Sequence, residues 1–337
     1  MKFITSKPEG GLLMKTRMIE QLIEKNNLIK KSSLKLMGLV LVTALVTNCA
    51  PKNNQDYAHS NYETQDSSGI IGGSLATTQF QKENGIVQLK LIARGGRATC
   101  TGTLVARNVV MTAAHCVVMP GLQDVAVIFA LSDKTATEEN IILATSLAVH
   151  SGYIGLKGAT ETVNDADIWN DIALIKLAKD APADFKPAQL PALRSKVSLL
   201  KGHRLILSGY GITNAMVRRE VKQPNGSTHV VELPSQGTGT LRKVDQIVVT
   251  NVTADQKEIT LDQRKLRGAC HGDSGGPAFI KLKNGTLLQV GVTSRGTEKL
   301  GNCNQGAIYT GIIGQIQWIH EKVAQLSAAQ KDVLASQ

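Results

Sequence analysis

The chain has 337 residues, 42% of them hydrophobic, which is enough for one large domain or two modest ones and too much for a disordered tail. Its formal net charge is +11, but nine basic against six acidic residues fall in 1–69 and 29 against 21 in the remainder, so the bias is spread rather than blocked. Only 4% of residues are aromatic, so no stacking platform for single strands is present, and nucleic acid is set aside as a partner.

The first element in chain order is a targeting segment. Lys30, Lys31 and Lys35 precede the apolar run "LMGLVLVTALV" at 36–46, the order of a basic n-region followed by an h-region. These eleven residues are too few to span a bilayer, which takes roughly 18. "VTNCA" follows and resembles a bacterial lipoprotein signal, in which Cys49 becomes the acylated first residue. Asn48 departs from the small residue usual there, and the alternative is an ordinary exported protein with a spare thiol. Residues 50–69 are polar and read as a tether or propeptide. The location implied is export: attached to the outer membrane or periplasmic in a Gram-negative-type bacterium, or secreted after processing.

From Ile70 the chain reads as short β-rich runs: "GIVQLKLIA", "GTLVARNVVMTA", "DVAVIFAL", "DIALIKL", "HRLILSGYG", "QIVVT", "PAFIKL" and "LLQVGVTS". Short strands between Gly-rich turns indicate antiparallel barrels or sandwiches. The proline-rich stretch "KDAPADFKPAQLPALRSK" at 179–196 divides the body into about 70–180 and 197–311. Residues 215–239 read as an extra-long surface loop that gates or extends a cleft. Apolar spacing at Ile312, Ile313, Ile316, Ile319 and Val323 predicts a helix over 312–326, with a tail at 327–337.

Beyond Cys49 there are four cysteines, Cys100, Cys116, Cys270 and Cys303, an even number behind an export signal, which points to disulfides. Three pairings are possible. Local pairing would join Cys100 to Cys116 and Cys270 to Cys303. A zinc site lacks any C-x-x-C pair, and Asp133, Glu138 and Glu139 have poor spacing for calcium. Neither a metal nor a cofactor is expected.

"CHGDSGGP" at 270–277 sets Ser274 among glycines, a pattern that fits either the elbow of an α/β-hydrolase or a protease loop. Chain order separates them. The hydrolase order would force Ser274, Glu298 and His320, with His320 inside the predicted helix, and it would need helices alternating with parallel strands. The opposite order takes His115 from "TAAHC", Asp171 from "NDIALIKL" and Ser274 last. With "IIGG" at 70–73, "GTLVARNVVMTAAHC" at 102–116, "SGYG" at 208–211 and "AIYTGI" at 307–312 in register, the chain resembles the trypsin-like serine proteases over nearly all of 70–320.

The resemblance implies an all-β fold of two packed six-stranded antiparallel barrels with a C-terminal helix, the peptidase domain covering 70–326. It implies a serine endopeptidase with Ser274 as nucleophile, His115 as base and Asp171 as its orienting carboxylate. The amides of Gly272 and Ser274 would form the oxyanion hole. Cleavage before Ile70 by a separate, unidentified protease would create an amino terminus that pairs with Asp273, the acid preceding the serine, as an activation switch. Gly69 stands where many relatives have Arg or Lys. Gly268, Ser294, Gly296 and Ala307 would line a neutral, open P1 pocket for medium apolar or aromatic side chains. Arg295, Arg267 and His271 read as solvated loop charges, with attraction of acidic substrate residues the minority alternative. Substrates would be proteins or peptides, the enzyme a monomer, and Cys49 an anchor to the membrane before activation. The reading from a different class is a binding or regulatory module on the same fold that does not cut; an intact His115, Asp171 and Ser274 speaks against it.

Overall fold

Runs of β-branched and aliphatic residues broken by glycine and polar turns form antiparallel strands, and closing such a sheet on itself buries one face while leaving no unpaired edge. The structure, a computed structural model, describes residues 70–155, 169–298 and 300–335. The expected targeting segment, Cys49 and the expected 50–69 tether lie outside the described residues.

The chain opens with β1 (Ser74–Leu75) and the short helix α1 (Thr78–Glu83). Then come β2 (Ile86–Ala93), β3 (Gly96–Ala106), β4 (Val109–Thr112), the one-turn helix α2 (Ala114–Val117), β5 (Leu122–Ile128), β6 (Ile141–Val149) and β7 (Ala173–Leu177). Strands β2 to β7 close into a six-stranded barrel in the order β2-β3-β4-β7-β6-β5. The core cluster around it includes Val87, Leu89, Leu104, Met111, Val127, Leu174 and Ile175, all without solvent exposure; each such aliphatic side chain contributes roughly 1.5–3 kcal/mol by burial.

The second half comprises β8 (Arg204–Gly209), β9 (Arg218–Lys222), β10 (Thr228–Glu232), β11 (Arg242–Val252), β12 (Glu258–Asp262), β13 (Pro277–Lys281), β14 (Leu287–Gly296), β15 (Gly306–Gly311) and helix α3 (Ile312–Ala335). Here the ring runs β11-β12-β15-β14-β13-β8 and closes through β8 and β11, with β1 added beside β11. Leu205, Leu207, Val249, Ile259, Val290 and Tyr309 fill it. Between β7 and β8, Ala181 and Phe185 of the proline-rich connection pack into the first core, and Leu199 just after it packs into the second.

Two barrels and a terminal helix are therefore present, with three differences in detail. Strands β1, β6, β12 and β15 are not among the β-rich runs. Residues 215–239 are not simply a loop: they carry the hairpin β9–β10, paired from Thr228 with Lys222 to Glu232 with Arg218 and turning at the sequence Pro224-Asn225-Gly226. Helix α3 continues past Leu326 to Ala335, because "AAQKDVLA" holds strong helix formers and neither Gly nor Pro. It springs from the second barrel, yet Ile312 and Ile319 are buried in the first core and the Trp318 ring lies tilted against His150, centroids 5.0 Å apart. Among the described residues no helix is long and apolar enough to cross a membrane.

Candidate active site

His115 lies in α2 immediately after β4, and Asp171 lies just before β7. These strands are ladder neighbours, Thr112 opposite Ala173, so the register brings together two side chains 56 positions apart. Asp171 is 2% exposed and accepts three hydrogen bonds. The His115 backbone N–H donates to Oδ1 at 2.9 Å, His115 Nδ1 to Oδ2 at 2.8 Å, and Ser294 Oγ to the same Oδ2 at 2.7 Å. Burial by itself would raise the Asp171 pKa, but the neighbouring His115 charge and these bonds outweigh it and hold the carboxylate below its ordinary range. For His115 burial opposes the charged form, and the charge and hydrogen bond of Asp171 outweigh it, so the imidazole is raised.

Ser274 sits on the turn before β13 and is half-buried. The first barrel grips this turn: Thr101 N donates to Ser274 O at 2.8 Å and Thr101 Oγ1 to Gly272 O at 3.0 Å. Cys116 Sγ lies 3.8 Å from both His115 Nε2 and Ser274 O, so the imidazole and the serine turn border the same sulfur. Gly275 makes this approach possible. It has φ 81°, and a Cβ there would meet Thr112 Oγ1 at 2.0 Å and Thr101 O at 2.3 Å, so any side chain would push the nucleophile turn off the first barrel.

Within the turn, Asp273 N donates to Cys270 O, Gly275 N to Thr293 O and Gly276 N to Asp273 O. Among the described residues the N–H groups of Gly272 and Ser274 donate to no protein acceptor. Both residues are half-buried, and two N–H groups on one turn that no protein acceptor takes form a ready donor pair for an anionic oxygen.

Asp273 is fully buried and accepts from Gly211 N at 2.7 Å and Cys270 N at 2.8 Å. Burial pushes its pKa up to about 7 despite those two bonds. Ile70 is buried in the second core with φ 52°, and Ile71 forms a two-bond bridge with Gly268, in the same loop as Asp273. No hydrogen bond links Ile70 to Asp273 among the described residues.

The two disulfides are Cys100–Cys116 and Cys270–Cys303. One ties β3 to the His115 turn, the other ties the serine loop to the segment before β15. Asp133, Glu138 and Glu139 do not converge: Asp133 binds Lys90 Nζ at 2.6 Å, while both glutamates sit exposed in a 3-10 turn.

Of the pocket residues, Gly268, Gly296 and Ala307 lie on the loop before Cys270, the end of β14 and the start of β15, with Gly296 paired to Ala307. Ser294, also on β14, donates its hydroxyl to Asp171. Arg295 is not a solvated charge. It forms an ion pair with Glu258 at 2.9 Å, the two side chains only 10% and 15% exposed, which leaves it no net charge to offer an acidic substrate. Arg267 reaches Asp245 O at 3.2 Å and His271 Nε2 contacts Gly301 O at 2.7 Å, both side chains staying exposed.

Sequence reasoning missed a supporting set around Asp171. Thr310 Oγ1 donates to Asp171 O at 2.9 Å. Asn170, at φ 52°, is held by Gln315 of α3 at 2.6 Å and by Gly152 O at 2.8 Å. It also missed Gln263, which is 1% exposed beneath the pocket. Nothing in the local pattern marks these residues; they are brought in by β15, α3 and the end of β12.

The Trypsin family model matches residues 71–319. Among curated proteins, Kallikrein 1-related peptidase b22 of Mus musculus is 30% identical over 234 residues, 67% of this chain and 80% of that one. Chymotrypsin-C of Bos taurus is 28% identical over 67% of this chain and 79% of its own length. CLIP domain-containing serine protease B15 of Anopheles gambiae is 26% identical over 65% of this chain, and the match spans 60% of that protein. A solved structure of HL collagenase superposes with a TM-score of 0.56 at 22% identity, over 76% of this chain and 99% of that one, a likeness of fold. The chain therefore belongs to the trypsin family of serine proteases.

Proposed function

We propose that the chain is an exported serine endopeptidase that hydrolyses peptide bonds through an acyl-enzyme and is made as a zymogen. The observation that carries this reading is the conjunction of the His115–Asp171 pair with a serine turn whose Gly272 and Ser274 amides are unpaired. Asp171 fixes the proton on Nδ1, leaving Nε2 as the base. His115 takes the Ser274 hydroxyl proton as Oγ attacks the carbonyl, the two amides receive the oxyanion, and His115 then returns the proton to the leaving amine. Water repeats the sequence and frees the acid.

Cleavage between Gly69 and Ile70 is the activating step in this reading. A buried carboxylate without a cationic partner is unfavourable, and the raised pKa of Asp273 in the uncut chain expresses that. A new ammonium at Ile70, whose side chain is already seated in the second core, would supply the partner and lock the oxyanion turn. If Cys49 is acylated, no disulfide spans the cut, because Cys49 is the sole cysteine before it; the same cleavage would then release the enzyme from the membrane.

The test is labelling by diisopropyl fluorophosphate before and after processing at Gly69–Ile70, with the adduct located by mass spectrometry. Labelling of Ser274 only after processing supports both triad and switch. Equal labelling of the uncut chain keeps the nucleophile and discards the zymogen. Absence of labelling in both forms favours the non-cutting module. Mature, Ile70-started protein that stays in the membrane fraction after a high-salt wash would count against release.

A further inference from the structure

The loop that leads to Ser274 is underpinned by one buried side chain. Gln263, just past the end of β12, is 1% exposed and uses its whole amide on main chain. Its Oε1 accepts Ala269 N at 2.6 Å, while Nε2 donates to Ala269 O at 3.0 Å and to Cys303 O at 3.1 Å. Ala269 belongs to one wall of the candidate pocket, and Cys303 lies in the segment between the Gly296 and Ala307 positions of the other. The two segments are also joined by the Cys270–Cys303 disulfide. Gln263 thus bridges the two walls at their base.

Gly268, one of the pocket positions that the resemblance implies, shows how full that base is. Gly268 has φ 154°, and a Cβ built there would lie 2.1 Å from Gln263 Oε1 and 2.3 Å from its Cδ. The mouth is the opposite. Gly296 is exposed, and a Cβ there would meet nothing nearer than Asn302 O at 3.7 Å. An entering side chain therefore finds room at the rim and a neutral amide at the bottom. Both donors of that amide are already committed. The adjacent acid offers no substitute, because Asp262 places both carboxylate oxygens on Arg264 at 2.9 Å.

We infer that Gln263 closes the floor of the P1 pocket and restricts the enzyme to short uncharged P1 side chains, alanine to leucine in size, against aromatic residues, lysine and arginine. This rests on the serine endopeptidase reading and narrows its pocket, removing the aromatic class. A ring would have to displace Gln263 and leave Ala269 and Cys303 main-chain groups unpaired. A buried ammonium or guanidinium would find no acid to meet it.

The experiment uses the full chain after cleavage before Ile70, with active sites counted by diisopropyl fluorophosphate, which does not need the pocket floor. Peptide nitroanilides identical except for P1 Ala, Val, Leu, Phe or Arg are compared on the wild type, Gln263→Ala, Gly268→Asp and the double variant. The wild type is expected to lose at least about tenfold in kcat/KM from Val to Phe, as a closed pocket gives. Gln263→Ala is expected to raise the Phe-to-Val ratio by about as much, and Arg cleavage should appear only in the double variant, never with Gly268→Asp alone. A titrated wild type that cleaves after Phe or Arg as fast as after Val overturns the proposal while leaving the nucleophile intact, and so does a fully titrating Gln263→Ala with the wild-type profile. Should Gln263→Ala fail to fold, the wild-type profile decides by itself. A wild type that never labels at Ser274 overturns this inference together with the reading beneath it.

Discussion

Replacing Asp171 by asparagine tests the geometry of the pair at the level of single atoms. In the wild type both carboxylate oxygens accept: Oδ1 from the His115 backbone N–H, Oδ2 from His115 Nδ1 and Ser294 Oγ. An asparagine must turn one of these positions into a donor. The backbone N–H is fixed and cannot become an acceptor, so the amide oxygen goes to it and the NH₂ faces the imidazole. The imidazole then holds its proton on Nε2, and the base toward Ser274 is lost. The expected fall in kcat is about 10⁴, or about 5.4 kcal/mol of barrier at 1.36 kcal/mol per decade. A second readout separates this from general damage. His115 is raised by the Asp171 charge, and activity requires the neutral imidazole. Removing the charge should therefore move the acid limb of the kcat/KM profile to lower pH. The assay is kcat/KM against pH on a P1 Val nitroanilide, with thermal unfolding to show that the variant is folded. A folded Asp171→Asn enzyme within tenfold of wild type, or one whose acid limb does not move, would refute the tautomer reasoning.

Two further outcomes follow from the same geometry. Asp273, raised to about 7 in the uncut chain, binds a proton in the folded state that the unfolded chain releases near 3.9, so stability falls as pH rises from about 4 to 7 and stays low above it. Thermal unfolding of the Ser274→Ala chain across that range should show this loss when uncut, and cleavage before Ile70 should remove it; identical pH curves for the two forms would discard the Ile70–Asp273 pair. Removing the Cys100–Cys116 bridge, which spans a sequence separation of 16, as the double alanine variant should lower unfolding free energy by about 3 kcal/mol on chain-entropy grounds, measured by urea titration.

What the linear sequence determined was local chemistry and period. Runs such as "GIVQLKLIA" and "DIALIKL" fix strands because a β-branched, aliphatic run has few other stable states. The order His115, Asp171, Ser274 excludes the hydrolase elbow because a fold brings its catalytic groups in by topology. An even number of cysteines in the body, Cys100, Cys116, Cys270 and Cys303, indicates disulfides without choosing a pairing. The hairpin β9–β10 reads as a loop in the sequence, because its strands "RREVK" and "THVVE" are mostly exposed and a stretch without buried residues gives no core signal to weigh. The tertiary structure decided everything that depends on which strands are neighbours. Ser294 reaches Asp171 across 123 positions, Thr310 across 139, and Gln315 holds Asn170 across 145. Arg295 finds Glu258 only because β12 and β14 flank β15. Gln263 is one more polar residue in a turn until the ends of β12, β14 and β15 converge and bury it. A hydrogen bond acts over about 3 Å, whereas residues far apart in sequence reach that distance only once both barrels have closed.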